Sequence, residues 1–285
     1  MIPDHLLNAE IDRIIVDAIH EDVGSGDHSS MACIPQDASG KAKLLVKDTG
    51  VIAGVKFACQ VFNYVDPYLD VQMDIKDGAK VKPGDIAFYV EGKVQSILKA
   101  ERLVLNAMQR MSAIATKTAE YVKMLEGTGA RILDTRKTTP GIRALEKMAV
   151  SIGGGNNHRF ALYDMIMLKD NHIDFAGGIT QAIDKTRKYL SEHDLDLKII
   201  VEARNLGEVE EILSAGRVHR ILLDNFNFED TNKAVGMIGN SCMTESSGGI
   251  TQENLRQYAE CGVDFISSGA LTHSVSNLDM SLKAV

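Results

Sequence analysis

Tryptophan is absent from the 285 residues, and aromatic side chains make up only 5% of them. That removes the stacking platforms on which single-stranded nucleic acids are held. Basic residues are outnumbered, 31 Lys and Arg against 39 Asp and Glu, and the net charge of −8 argues against a general polyanion-binding surface. Four cysteines (Cys33, Cys59, Cys242 and Cys261) stand apart with no CxxC pair. This excludes a disulfide framework or zinc knuckle and points to a reducing compartment. No apolar run approaches the roughly 18 residues of a membrane-spanning helix. The opening Met1-Ile2-Pro3-Asp4-His5 has neither a basic nor an apolar leader region. These absences lead to the expectation of a cytoplasmic protein with no membrane or nucleic-acid partner. GxSxG, HExxH, GxxxxGK[ST] and strand-borne GxGxxG motifs are missing as well.

What is present belongs to an ordinary folded chain: 45% hydrophobic and 25% charged residues exclude disorder, and the length suits one large or two smaller domains. The charge is unevenly spread. From Arg131 to His172 seven Lys and Arg face four Asp and Glu, a net +3, leaving −11 for the remainder. One basic stretch in an acidic chain suits a small anionic ligand.

The first hundred residues read as a small α+β domain. Ile11, Ile14, Ile15, Ala18 and Ile19 predict a helix over 8–20, and 41–47, 71–75 and 86–98 predict strands. Val104, Met108, Met111, Ala115, Thr118, Val122 and Leu125 form one apolar stripe at helical spacing, ending near Gly127. Such a stripe reads as a core helix; Arg102, Asn106 and Gln109 lie off it and need another reason. From Arg131 onward short apolar runs alternate with amphipathic segments. Strands are expected at 131–135, 165–169, 197–202, 220–224, 241–245 and 263–268, with helices such as 180–190, 206–215 and 252–261 between them. The alternation implies parallel strands with crossover helices. The nearly constant spacing from Glu202 to Asp224 (22), Glu245 (21) and Ser267 (22) favours a barrel over an open sheet.

Every one of these strands ends on polar groups, and in β/α barrels the C-terminal rim builds the active site. Arg136, Lys137, Arg159 and Lys169 sit at strand ends and loops and not along one helix face, so they converge if the barrel forms. Cations gathered this way repel, by about 4 kcal/mol for a pair at roughly 4 Å, and persist because a multiply charged anion occupies them. Ser247-Gly248-Gly249 and Ser268-Gly269 are small late loops of the kind that bind phosphate through backbone N–H groups. Glu202 and Asp224 end neighbouring strands. Alone they read as solvated loop acids; beside phosphate loops they suit Mg²⁺, which takes few carboxylates plus substrate oxygens. His158 and His172 read more readily as structural than as ligands. A Schiff-base aldolase built on Lys169 is the rival enzyme, and a non-catalytic phosphosugar-binding module the rival binder.

At these residues the sequence closely resembles the quinolinate phosphoribosyltransferases. The resemblance is carried by Glu21 to Asp27 (EDVGSGD), Glu101-Arg102, Gln109 to Ser112 (QRMS), Asp134 to Arg143 (DTRKTTPGIR), His158-Arg159, Leu168 to His172 (LKDNH), Ser247 to Ile250 (SGGI) and Ser268 to Ser274 (SGALTHS). It implies an α/β fold: an N-terminal α/β sandwich over 1–112, an α/β barrel over 113–271, and a tail, 272–285, returning to the first domain. It also implies transfer of the phosphoribosyl group of phosphoribosyl pyrophosphate to quinolinate, with loss of CO₂, in NAD synthesis. Arg136, His158, Arg159 and Lys169 are carried over as gripping the quinolinate carboxylates, with Thr135 beside them. Lys137, Glu202 and Asp224 map to the phosphoribosyl pyrophosphate and Mg²⁺ site, and the two late loops to the 5′-phosphate. Arg102 is carried over as reaching into a neighbouring subunit's site, which implies a homodimer or hexamer. Ser29, Ser246 and the Ala203-Arg204 pair depart from the common pattern, and Arg204 adds a charge beside the metal site. The related ModD proteins share the fold, and the full Arg136, Lys137, Arg159 and Lys169 set sets this chain apart from them.

Overall fold

Ile11, Ile14 and Ile15 are all buried, and they fix the inner face of helix α1 (Asp4–Val23). The structure, a computed structural model, describes residues 4–285. After α1 come α2 (His28–Cys33), β1 (Ser39–Val46), β2 (Gly50–Val51), α3 (Val55–Val65), β3 (Asp70–Met73), β4 (Lys80–Val81), β5 (Ile86–Lys93) and the long helix α4 (Val94–Met124). The run expected to stay extended through 98 turns helical at Val94. Ile97, Ala100 and Val104 are buried at spacings of three and four, so the apolar residues there serve a helix face. The stripe from Val104 to Thr118 is buried as its spacing requires; Thr118 joins it by returning its hydroxyl to the Ile114 carbonyl (2.7 Å). Helix α3 was not foreseen: Val55, Phe57, Ala58, Val61 and Phe62 are its buried face.

The barrel strands follow: β6 (Arg131–Leu133), then helix α5 (Arg143–Ile152), β7 (Ile166–Leu168), α6 (Asp170–Ala176), α7 (Ile179–Glu192), β8 (Ile199–Ala203), α8 (Leu206–Ala215), β9 (Arg220–Asp224), α9 (Phe228–Ile238), β10 (Met243–Ser247), α10 (Leu255–Glu260), β11 (Phe265–Ser267), α11 (Ala270–His273) and β12 (Met280–Ala284). Six strands form one parallel sheet in the order β6-β11-β10-β9-β8-β7. This is the cyclic order of a barrel left open between β6 and β7, where Asn156 makes a single parallel bridge to Leu133. Strand β10 lies two residues later than its sequence pattern suggests, because Ser241 still closes the turn after α9 on the Ile238 carbonyl (3.0 Å). Glu245 therefore stands in mid-strand.

By its internal contacts the chain forms two units. One holds Glu120–Arg136 and Gly155–Ala270, the barrel; the other holds the described residues up to Ala119 together with Lys137–Gly154 and Leu271–Val285. By contacts alone the division falls at 119/120, within α4, and residues 137–154 group with the unit that holds α1.

In that first unit β12 pairs antiparallel with β1, giving a four-stranded sheet β12-β1-β5-β3. Gln109 of α4, off the apolar stripe, donates its side-chain amide to the Met280 carbonyl (3.0 Å) and accepts Leu278 N–H on its own carbonyl (3.2 Å), which pins β12. Phe62 and Phe88 meet edge to face, centroids 5.7 Å apart, between α3 and the sheet. Gly153 ends α5 against α4, where an added Cβ would collide with the Ala115 carbonyl and the Thr118 side chain. Gly153→Ala should therefore destabilise the protein by about 1–3 kcal/mol, the usual cost of overpacking, read as a lower Tm.

Candidate active site

Parallel register puts the two strand-end acids on one side of the sheet. Glu202 is paired with Leu222, and Asp224, two residues on, faces the same way as Leu222. Glu202 is 6% exposed and accepts a hydrogen bond from Lys169 Nζ (3.1 Å), just past the end of β7. The backbone amide of Lys169 donates to His172 Nδ1 (3.0 Å), so His172 serves locally to start α6. Asp224 accepts from the side-chain amide of the next residue, Asn225 (2.8 Å).

Asn225 holds a left-handed backbone (φ +57°), and its amide donates to the Ser247 carbonyl (2.8 Å). That brings the β9 loop directly against the β10 loop. Gly248 (φ +89°) packs on Asn225 so closely that a Cβ there would overlap its side chain. A glycine is required at that point for both conformation and space. Ser247, Gly248 and Gly249 form the late loop, tied down by Asn254 Nδ2 to the Gly249 carbonyl (2.9 Å). Helix α10 begins only at Leu255, later than its sequence pattern implies. Ser268, after β11, donates its amide to the Leu133 carbonyl (3.0 Å), and Gly269 follows it.

Arg159 is 7% exposed, and its Nη1 donates to the Met165 carbonyl (3.1 Å). Asp164 shapes the intervening turn by accepting from the amides of Phe160 (2.7 Å) and Ala161 (2.8 Å). Burial lowers the pKa of the Arg159 guanidinium, and repulsion from Arg136 lowers it further, with Asp164 in partial opposition. Arg136, exposed after Thr135 at the end of β6, therefore shares a field with Arg159, as a convergence of cations requires. His158 turns its ring inward. Its Nδ1 accepts from the Arg159 amide (2.6 Å), and its Nε2 lies 3.4 Å from Glu245 Oε2.

Glu245 and Arg220 are the residues that sequence reasoning missed. Glu245 is fully buried, its Oε2 accepting from Arg220 Nη1 (2.6 Å), and the Arg220 guanidinium lies over the Phe265 ring, 4.0 Å from its centroid. Burial pushes the Glu245 carboxyl up, but His158 and Arg220 outweigh it and hold the group below the usual carboxylate range. Glu245 and Leu222 are in register, as are Leu222 and Glu202, so the two glutamates share one row of the sheet, a placement that only the strand register reveals.

Among the described residues no three or more His, Cys, Asp or Glu groups gather as a metal cage. Two carboxylates on one side of adjacent strands fit Mg²⁺ only when substrate oxygens complete its shell. Arg102 stands exposed on α4, and Arg102 and Lys137 belong to the first unit.

Two family models match the chain: the quinolinate phosphoribosyl transferase N-terminal domain over residues 27–112 and its C-terminal domain over 114–283. The chain belongs to the quinolinate phosphoribosyltransferase family. It is similar to a quinolinate phosphoribosyltransferase (decarboxylating) of Nicotiana tabacum, 43% identical over 96% of this chain and 82% of that one. A probable nicotinate-nucleotide pyrophosphorylase (carboxylating) of Bacillus subtilis is 39% identical over 92% of this chain and 89% of its own length. The solved nicotinate-nucleotide pyrophosphorylase of Francisella tularensis superposes with a TM-score of 0.90 at 35% identity, covering 100% of this chain and 98% of that one. No helix among the described residues is long and apolar enough to cross a membrane.

Proposed function

We propose that this family member transfers the phosphoribosyl group of phosphoribosyl pyrophosphate to quinolinate with decarboxylation, giving nicotinate mononucleotide, pyrophosphate and CO₂. The observation that carries the reading is that Lys169, Glu202 and Asp224 lie at the C-terminal ends of β7, β8 and β9 in one barrel, with Arg136 past the end of β6 and the buried Arg159, in the loop before β7, sharing its field. Arg136, Arg159 and Lys169 bind the two carboxylates of the pyridine, arginine through paired hydrogen bonds and lysine as a point charge. His158 stands behind Arg159. The pyridine nitrogen carries a free lone pair, so attack on the anomeric carbon needs no general base, in keeping with a sequence that has no GxSxG motif. Holding ring and sugar in line supplies the proximity contribution. Lys137 meets the charge developing on the departing pyrophosphate, while the loops at Ser247-Gly248-Gly249 and Ser268-Gly269 take the 5′-phosphate. Mg²⁺ would be held by Glu202 and Asp224 together with substrate oxygens, and neutralises leaving-group charge when bound. Once alkylated, the ring nitrogen is cationic and stabilises the carbanion left as the 2-carboxylate departs. The clamp must therefore orient that carboxylate without binding it too tightly.

Incubation with quinolinate, phosphoribosyl pyrophosphate and Mg²⁺ should yield nicotinate mononucleotide, with nicotinate a poor competitor; no product would overturn the reading. Chelation of the metal should abolish turnover. A Schiff-base aldolase is disfavoured because the Lys169 ammonium donates to Glu202 and is half exposed, whereas that chemistry needs a desolvated, unpaired amine. Borohydride trapping at Lys169 would reinstate it.

A homodimer in which Arg102 serves the neighbouring subunit accounts for an exposed arginine off the buried face of α4. Arg102→Ala should lose activity that returns on mixing with a Lys169→Ala protein; no recovery would remove the shared site. A cytoplasmic location fits four cysteines that are all free thiols.

A further inference from the structure

One buried ionised cluster in the barrel has no part in the mechanism above. Glu245 is enclosed in mid-strand, and its Oε1 has no hydrogen-bond partner among the described residues. An apolar side chain of that size would fill the barrel without the desolvation cost of a carboxylate and its partner. We propose that Glu245, anchored by Arg220, is a positioning residue that fixes the His158 ring and, through it, the backbone of Arg159. The inference rests on the reading of Arg159 as a group that binds a quinolinate carboxylate.

The connection can be followed atom by atom. Arg159 donates its amide to His158 Nδ1 at 2.6 Å, so the ring nitrogen facing that amide carries no proton, and the ring proton sits on Nε2. Nε2 lies 3.4 Å from Glu245 Oε2, an electrostatic contact, and the same oxygen accepts from Arg220 Nη1 at 2.6 Å. The backbone of His158 is held separately, its amide donating to Asp134 Oδ1 (2.7 Å). With the main chain fixed by Asp134 and the ring drawn toward Glu245, the imidazole has one orientation, the one that offers Nδ1 to Arg159. Loss of the carboxylate frees the ring to turn and leaves the Arg159 amide, in a buried residue, without that acceptor. The arginine beside it then loses its fixed starting point, though its guanidinium is untouched.

Such a role separates binding of the pyridine from everything else in the reaction. Glu245→Gln keeps size and removes charge; the Arg220→Met/Glu245→Gln double variant removes both charges, so no unpaired ion is left inside. Steady-state kinetics with quinolinate and phosphoribosyl pyrophosphate are measured for both, beside circular dichroism and thermal unfolding. The expected result is a KM for quinolinate raised about tenfold in each, the loss of roughly one charge-assisted hydrogen bond, with the KM for phosphoribosyl pyrophosphate and kcat within about threefold of the parent. A folded variant with an unchanged KM for quinolinate would overturn the proposal. So would a double variant unable to fold, since the pair would then serve the barrel and not Arg159. A parent protein that makes no nicotinate mononucleotide would instead overturn the reading of the reaction, which keeps the two failures distinct.

Discussion

Arg159→Ala is expected to raise the KM for quinolinate about a hundredfold, with Arg136→Ala following at about tenfold. The two differ because their surroundings differ. Arg159 is almost wholly buried, and its guanidinium has already lost its water, so a bound carboxylate meets it in a medium of low dielectric; Arg136 is exposed and screened. One charge-assisted, paired hydrogen bond in such a place contributes about 2–3 kcal/mol, and 1.4 kcal/mol is a factor of ten. The KM for phosphoribosyl pyrophosphate should scarcely move. If both variants bind quinolinate as the parent does, the carboxylate clamp is elsewhere. The lowered pKa of the Arg159 guanidinium, caused first by burial and then by Arg136, has the same origin: an anion that enters relieves the repulsion between the two.

Glu146→Ala should cause the largest loss of stability of any single change considered. The Glu146 carboxylate, fully buried on α5, accepts from Arg110 Nε (3.1 Å) and Nη2 (2.9 Å) through one oxygen. It also accepts from the Thr139 amide (3.0 Å) and hydroxyl (2.8 Å). Arg110 further donates to the Thr272 carbonyl, so α4, α5 and the start of the C-terminal segment meet at one carboxylate. Its removal takes four charge-assisted hydrogen bonds from the part-buried Arg110 guanidinium and from Thr139, at a cost of about 3–5 kcal/mol. For a chain of this size that corresponds to a Tm lower by about 6–15 °C. A thermal melt within about 2 °C of the parent would show that Arg110 finds another acceptor.

Sequence periodicity located the barrel well because its strands are short, β-branched and bounded by polar residues. Strand β9 and helix α8 have their expected limits, and the remaining barrel strands differ by a few residues at their ends. Residues 137–154 lie between two barrel strands in sequence, and their contacts with the first unit, the ion pair of Glu146 with Arg110 36 positions away and the packing of Gly153 on α4, cannot be read from the sequence. The segment 94–98 reads as strand because a helix face and a buried strand look alike over so short a run, where only Val94, Ile97 and Leu98 are apolar. The charged rim could be read directly, since Lys169, Glu202 and Asp224 stop apolar runs. Glu245 could not: a shift of two residues in β10 moves it from a strand end into the interior, and only the hydrogen bond to Arg220 reveals its surroundings.

The pairing of β12 with β1 has a consequence for biogenesis. The edge strand β12 follows the whole barrel in sequence, and its five residues join a partner more than two hundred positions earlier in the chain. During translation β1 therefore presents a bare edge while the whole barrel emerges from the ribosome, and such edges recruit other strands. Any strand that engages that edge before β12 arrives competes with the native pairing.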